Sequence, residues 1–355
     1  MKLKILLLVT IVFFSCKQQT KSIPLYIGTY TSGDSEGIYK LLFNTETGEL
    51  KDLSLAATID NPSFITYSPN KKNIYAVGEG DDGTVSSFKV EEAGTLQLIN
   101  KVKSHGGAPC HISTNKEGNK LATSNYVGGN MALYDIKEDG SLNEASQVFD
   151  HNSLEQKSHV HSAQFYKNNL FVADLGRNAM YLYKKESNNN YKLKDSSIVK
   201  FTKNAGPRHF ALTNNGDFIY IINEYASTIT TAKKVGDSYE LINHTSTLSK
   251  DYSGENSCAD IHLSKNERFI YGSNRGENSI AVFKRNTETG TIEKIQNVPV
   301  HGDWPRNFTL DPTGKFLLVA NKKSSNISVF SVDASSGELS FLNDIALPNP
   351  VCLLF

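Results

Sequence analysis

The sequence predicts an all-β fold, a seven-bladed β-propeller with one blade closed by strands from both chain ends. Three observations lead there: a motif recurring at near-constant spacing, four strand-like runs in most copies, and complementary half-copies at the two ends. The motif is clearest in GPRHFALTNNGDFIYIINEYASTITTA, from Gly206 to Ala232. An apolar run there is followed by the turn Asn214-Asn215-Gly216-Asp217, a second apolar run from Phe218 to Ile222, and a third after a loop. With Pro207 as anchor, equivalent positions are Pro62, Pro109, His159, Cys258, Pro305 and Pro350, at intervals of 47, 50, 48, 51, 47 and 45 residues. A period of this length marks a repeat architecture, in which stacked neighbours bury the sheet faces that one repeat leaves open.

After the anchored hairpin each full repeat carries a third strand, such as TVSSFKV, MALYDI, AMYLYKK, SIAVFKR or NISVFSV. Most then turn at a glycine into a short fourth strand: AGTLQL, DGSLNE, TGTIEK or SGELSF. Four strands per unit describe a propeller blade. The C-terminal PVCLLF is a first strand alone, while the N-terminal LYIGTY, GIYKLLF and TGEL match the second, third and fourth. Joining them completes a blade and replaces a loose sheet edge with a paired one. That composite unit is counted as blade 1, so Gly206–Ala232 begins blade 5.

Composition agrees. Sixteen Tyr and 18 Phe in 355 residues favour strands, and balanced acidic and basic counts of 37 each argue against a nucleic-acid partner. The N-terminus is a separate object: Lys2 and Lys4 precede the apolar run Ile5 to Phe14, then Ser15-Cys16. This has the layout of a secretory signal over residues 1–16, too short to span a bilayer. Cys16 directly after the apolar core resembles a bacterial lipobox, although Phe13 replaces the usual Leu. The expectation is an exported, lipid-anchored envelope protein modified at Cys16, the alternative an ordinary signal cleaved nearby. A polar tether over 17–24 would lead into a propeller domain over 25–355. Cys110, Cys258 and Cys352 have no CxxC spacing and are expected as buried small residues rather than disulfide or zinc partners.

Stacking the repeats gives columns. Two residues after the anchors stand Phe64, His111, His161, His209, Asp260, Asn307 and Cys352. The second strands end in Thr29, Gly78, Asn125, Asp174, Asn223, Asn274 and Asn321, followed by Tyr30, Glu79, Tyr126, Leu175, Glu224, Arg275 and Lys322. Arg208 and Arg306 directly follow their anchors. First strands line a propeller's channel, so these columns are expected to form a ring at one mouth. The Asn column suits capping of loop backbone. Mixed Arg, Glu, Asp and His in a concave mouth suits a small anionic molecule. The sequence has no P-loop or HExxH, and no spacing that announces a metal or cofactor.

The stretches IGTYTSGDSEGIYKLLFNTETGEL, GGAPCHISTNKEGNKLATSNY, HVHSAQFYKNNLFVADLG, GPRHFALTNNGDFIYIINE, CADIHLSKNERFIYGSNRG and WPRNFTLDPTGKFLLVANK resemble the seven-bladed lactonase family. That family is typified by one type of 6-phosphogluconolactonase and by fungal carboxy-muconate lactonizing enzyme. The resemblance covers residues 25–355 and implies a lactone hydrolase acting on a sugar-acid lactone; no cofactor is expected, and the chain is expected to be a monomer. It implicates His159 or His161, Arg208, Glu224 and Arg275 in catalysis, with His111, Asp174, His209 and Arg306 completing the substrate wall. Asp260 stands where the family pattern leads one to expect Glu. Glu224 or a histidine would be the base, and Arg208 and Arg275 would hold the anion and the developing oxyanion. Two other readings remain: a non-catalytic propeller binding carbohydrate or protein, and a muconate-type cyclase.

Overall fold

The computed structural model describes residues 21–355, so the signal run and Cys16 lie outside the described residues. Among the described residues there is no helix, and seven four-stranded antiparallel sheets account for the chain. The blades follow the sequence units. Blade 5 runs Pro207–Leu212, Phe218–Asn223, Thr228–Val235 and Ser238–Ser246 from the channel outward. Blade 1 is the composite: Pro350–Leu354 pairs with Ser22–Thr29, which pairs with Gly37–Asn44 and then Leu50–Thr58. Strand pairing begins at Ser22, opposite Asn44, so residues 22–24 belong to the blade and the tether is shorter than the sequence predicts.

The core lies between blades. Phe218, Tyr220, Ile222 and Ile229 of blade 5 pack on Cys258, Ile261, Ile270 and Phe283 of blade 6. Full burial of each large apolar side chain stabilises the fold by about 1.5–3 kcal/mol. A tyrosine in the second strand adds a polar tie to the next blade. Tyr26, Tyr220 and Tyr271 donate to the carbonyls of Gly94, Gly290 and Gly337 at 2.8, 2.8 and 3.0 Å. Cys110, Cys258 and Cys352 are buried free thiols, as their spacing predicts.

A β-bulge just inside the innermost strand positions the site. In blade 5 Pro207 faces Asn223 and His209 faces Ile222, leaving Arg208 as the extra residue. Cys110 in blade 3 and Arg306 in blade 7 are extra in the same way. In blade 4 the pairs are Val160 with Asp174 and Ser162 with Ala173, so the bulged residue is His161. The anchor of blade 4 is therefore Val160, not His159. His161 stands at the level of Arg208, and His159 at the level of Gly206. A bulge leaves its extra residue unpaired and bends the strand, so its side chain is re-aimed.

Candidate active site

The turn that enters each inner strand is held by the residue following the second strand. Glu224 N donates to Gly206 O at 2.7 Å, Tyr126 N to Ala108 O at 2.9 Å, and Lys322 N to Trp304 O at 3.1 Å. Gly206 has φ +70°, and a Cβ there would come within 2.7 Å of the Tyr225 ring. This link fixes where Tyr126, Glu224 and Lys322 leave the sheet. It brings them to the end of the channel where the bulged residues also point.

Glu224 is the centre of that end. One carboxylate oxygen lies 2.9 Å from Arg208 Nε and 2.9 Å from Arg275 Nη2. Arg208 is 2 % exposed and Arg275 5 %. Arg208 Nη1 donates to Ala259 O, while Arg275 donates through Nε to Ser257 O at 3.2 Å and through Nη2 to Cys258 O at 2.8 Å. Among the described residues, Arg208 Nη2 and Arg275 Nη1 have no hydrogen-bond partner, so each guanidinium keeps one free end. Burial works to raise the Glu224 carboxyl, but Arg275, Arg208 and Arg306 outweigh it and hold its pKa below the ordinary value. Burial, then the Arg275 charge, lowers Arg208 to about 10, which leaves it a cation at neutral pH.

A second group faces the same space. Arg306 Nη2 lies 3.7 Å from Glu79 and its guanidinium is 5.3 Å from the Tyr30 ring, whose hydroxyl donates to Glu79 at 2.9 Å. Lys322 Nζ sits 4.6 Å from the same ring. Four cations, Arg208, Arg275, Arg306 and Lys322, thus stand against two carboxylates, Glu224 and Glu79. The excess is two positive charges, a field that favours an anion.

The histidines divide. His159 stacks on Tyr126 at 4.4 Å and donates through Nδ1–H to the Tyr126 carbonyl at 2.8 Å, which leaves Nε2 as the acceptor of the neutral ring. His161 meets the Tyr126 ring edge to face at 5.6 Å and the His209 ring beneath it at 5.2 Å, with Cys110 as a further neighbour. Burial, then Arg208, pushes its pKa well below the histidine range, so it is neutral. His111 and His209 do not reach the mouth. They lie one level deeper, 5.5 Å apart, and line a separate cavity of about 430 Å³ with Asp260 and His262. His209 donates through Nδ1 to Asp260 at 2.7 Å, and Asn307 Nδ2 reaches the same carboxylate at 2.5 Å. The expected single ring is therefore two layers, because the bulge sends adjacent residues to different depths.

Asp174 is not part of the wall either. It is fully buried and accepts from Ser158 Oγ at 2.5 Å and from His159 N and Arg177 N at 2.9 Å each. Its role matches that of the Asn column, where Asn125 and Asn274 bind Ser104 O and Thr247 O at 2.8 and 3.1 Å. The structure brings together Arg208, Glu224, Arg275 and Arg306, with His161 within reach of the Arg208 charge, while His159 borders them through the Tyr126 ring on which it stacks. The sequence columns missed Trp304, whose ring lies 5.3 Å from the Arg275 guanidinium and 3.6 Å from Lys323 Nζ. Two signals for it were available: it is the chain's single Trp, and it precedes the anchor Pro305 as Gly206 precedes Pro207.

The family described as "Lactonase, 7-bladed beta-propeller" matches residues 24–355. The chain is 31% identical over 342 residues to a 6-phosphogluconolactonase of Bacillus subtilis, covering 93% of this chain and 97% of that protein. It is 34% identical over 332 residues to a 6-phosphogluconolactonase of Formosa agariphila, covering 89% and 94%. The solved structure of the Pseudomonas aeruginosa periplasmic gluconolactonase superposes with a TM-score of 0.86 at 27% identity, covering 93% of this chain and 98% of that one.

Proposed function

The chain belongs to the seven-bladed β-propeller lactonase family, and from that premise we propose that it hydrolyses the ring ester of an anionic sugar-acid lactone at the mouth around Glu224. The observation that carries the reading is the buried Arg208–Glu224–Arg275 cluster, two guanidiniums sharing one carboxylate oxygen in a mouth with excess positive charge. Buried charges cost several kcal/mol each to desolvate, and a fold gains nothing from two of them that hydrophobic packing would not supply. The names of the relatives point to gluconolactone, with or without a phosphate, as the first substrates to try.

Ring opening needs a base for the attacking water and donors for the carbonyl oxygen as it gains charge. His159 Nε2 supplies the base, since its tautomer is set by the Nδ1–H bond to the Tyr126 carbonyl. The free ends of Arg208 and Arg275 supply the donors. Glu224 holds both guanidiniums in place; its lowered pKa makes it a weak base. Water gives its proton to His159 as its oxygen attacks the carbonyl carbon, and the imidazolium returns that proton to the ring oxygen as the C–O bond breaks. The product is an open-chain hydroxy acid, whose carboxyl then releases one proton to solvent.

That proton is the readout. Protein lacking residues 1–16 is titrated at constant pH against gluconolactone and 6-phosphogluconolactone, with the spontaneous rate subtracted. Acid release that Arg275→Ala abolishes supports the hydrolase. Equal release by both proteins, or none above the blank across a wider lactone panel, sinks it and leaves a binding propeller. Export and lipidation at Cys16 form a companion proposal of place, in which Cys16→Ala moves the protein from the membrane to the soluble fraction. A parent chain already found soluble would refute it.

A further inference from the structure

We propose that Trp304 is a positioning residue, whose indole fixes the Arg275 guanidinium at the mouth and whose backbone is held in an unfavourable conformation to put it there. The fold makes the comparison internally. The residue before the inner-strand anchor adopts a left-handed conformation in five blades: Asn61 at φ 44°, Ala108 at 51°, Gly206 at 70°, Trp304 at 67° and Asn349 at 46°. In each of these five blades the carbonyl of this residue receives the N–H of the residue after the second strand, Lys322 in the case of Trp304; blade 4 makes the same bond, Leu175 N to His159 O, without the left-handed conformation. Gly and Asn occupy the left-handed region with little penalty, whereas a bulky side chain there is an outlier. Four blades solve the turn with Asn, Ala or Gly. Blade 7 places the chain's single Trp in it.

Local stability does not explain that choice, since the left-handed region disfavours a residue bearing a Cβ. Strain held at a functional site is the common pattern. What the indole does touch is the site. Its ring lies 5.3 Å from the Arg275 guanidinium and 3.6 Å from Lys323 Nζ. A cation over an aromatic ring is attracted without using up an N–H donor. Arg275 spends Nε on Ser257 O and Nη2 on Cys258 O and Glu224, so a third polar partner would take the free Nη1. An aromatic neighbour restrains the guanidinium and leaves that donor for the substrate. The Trp304 amide is itself tied down, donating to Asn278 Oδ1 at 3.0 Å, so the indole is supported from blade 6.

The inference rests on the mouth being the reaction site, and the test separates the two. Trp304→Gly is expected to fold with a melting temperature close to the parent's, because released strain offsets lost packing. Its kcat on the best lactone should fall about 10-fold or more, with KM changing less, as a displaced catalytic group implies. Trp304→Phe keeps an aromatic face and should recover part of the loss. Parental kcat and KM in Trp304→Gly, or no recovery in Trp304→Phe, would overturn the proposal. Crystal structures of parent and Trp304→Gly give an arm independent of turnover. Arg275 should leave its bonds to Ser257 O and Cys258 O in the variant; an unmoved guanidinium refutes the positioning role even if no lactone is ever cleaved.

Discussion

The mouth and the layer beneath it are built from the same residue types, yet they differ in what is left unpaired. At the mouth, Arg208 and Arg275 share Glu224 and each keeps a guanidinium end free. One residue further along the inner strands, Asp260 accepts from His209 Nδ1, Asn307 Nδ2 and Ile261 N at 2.7, 2.5 and 3.0 Å, with His262 Nε2 at 3.1 Å. Its carboxylate is saturated. Asn307 then accepts from Leu353 N at 2.8 Å, so the layer stitches blades 5, 6, 7 and 1 together across the channel. Charge alone does not mark a site. The bulge that separates Arg208 from His209 gives one residue to the proposed reaction site and the next to closure of the ring.

If that division holds, removing the central carboxylate of each layer has different consequences. Glu224→Ala leaves Arg208, 2 % exposed, without its counter-charge and both guanidiniums without a shared hold. Turnover should fall at least about 100-fold, and unfolding free energy should drop by roughly 3 kcal/mol. Rates on folded protein and urea denaturation measure the two. A folded Glu224→Ala with near-normal turnover would take the carboxylate out of the mechanism.

Asp260→Ala should be the reverse. It strips three buried donors of their acceptor and should cost about 3 kcal/mol of stability. Turnover at a temperature where the variant is folded should stay within about 3-fold of the parent, a barrier change well under 1 kcal/mol. A folded Asp260→Ala with abolished turnover would merge the two layers into one site.

Acid should act first through the buried histidines of both layers, His161 at the mouth and His209 and His111 beneath it. Burial, then Arg208, pushes the His209 pKa down to about 4, below the 6.5 of the free side chain. The unfolded chain therefore binds this proton more readily, so stability falls with falling pH between those values. The contribution is whole above 6.5 and spent near 4. Asp260 is held well below the carboxylate range, as the charges of His262 and His209 outweigh its burial, so its contribution holds above the ordinary Asp value and is lost below it. Melting temperature against pH should thus decline in two successive windows. His209→Gln should make the upper decline shallower, with His111 and His161 carrying the rest, and should weaken the lower one as well, because the His209 charge helps hold Asp260 down; an unchanged upper slope would mean that His209 does not contribute.

Blade count and closure were legible because both are written in local patterns: apolar runs, turn residues, and the half-repeats LYIGTY and PVCLLF. Arg208, Glu224 and Arg275 were legible because they break the repeat at positions where other blades carry other residues. Depth was not. A one-residue bulge leaves no compositional trace, and an interval of 48 or 50 residues cannot say whether His159 or Val160 opens blade 4. Trp304 escaped for a related reason: its significance lies in a backbone angle that only comparison with Asn61, Gly206 and Asn349 makes visible.

The smallest effect tests the weakest boundary between the layers, at Asp174. The equivalent second-strand ends in blades 3, 5, 6 and 7 are Asn125, Asn223, Asn274 and Asn321, all buried. Asp174→Asn therefore installs what the fold uses elsewhere. One amide oxygen can still accept from His159 N and Arg177 N, both of which use the same carboxylate oxygen, and the new Nδ2 can donate to Ser158 Oγ. What is lost is a charge-assisted bond, worth about 1 kcal/mol after the gain of a neutral one. Turnover should move by no more than about 2-fold, since a residue that only caps a loop touches neither water nor carbonyl. A larger fall in kcat with an unshifted melting temperature would show that the Asp174 charge acts on His159 through more than its amide, and would return this residue to the site.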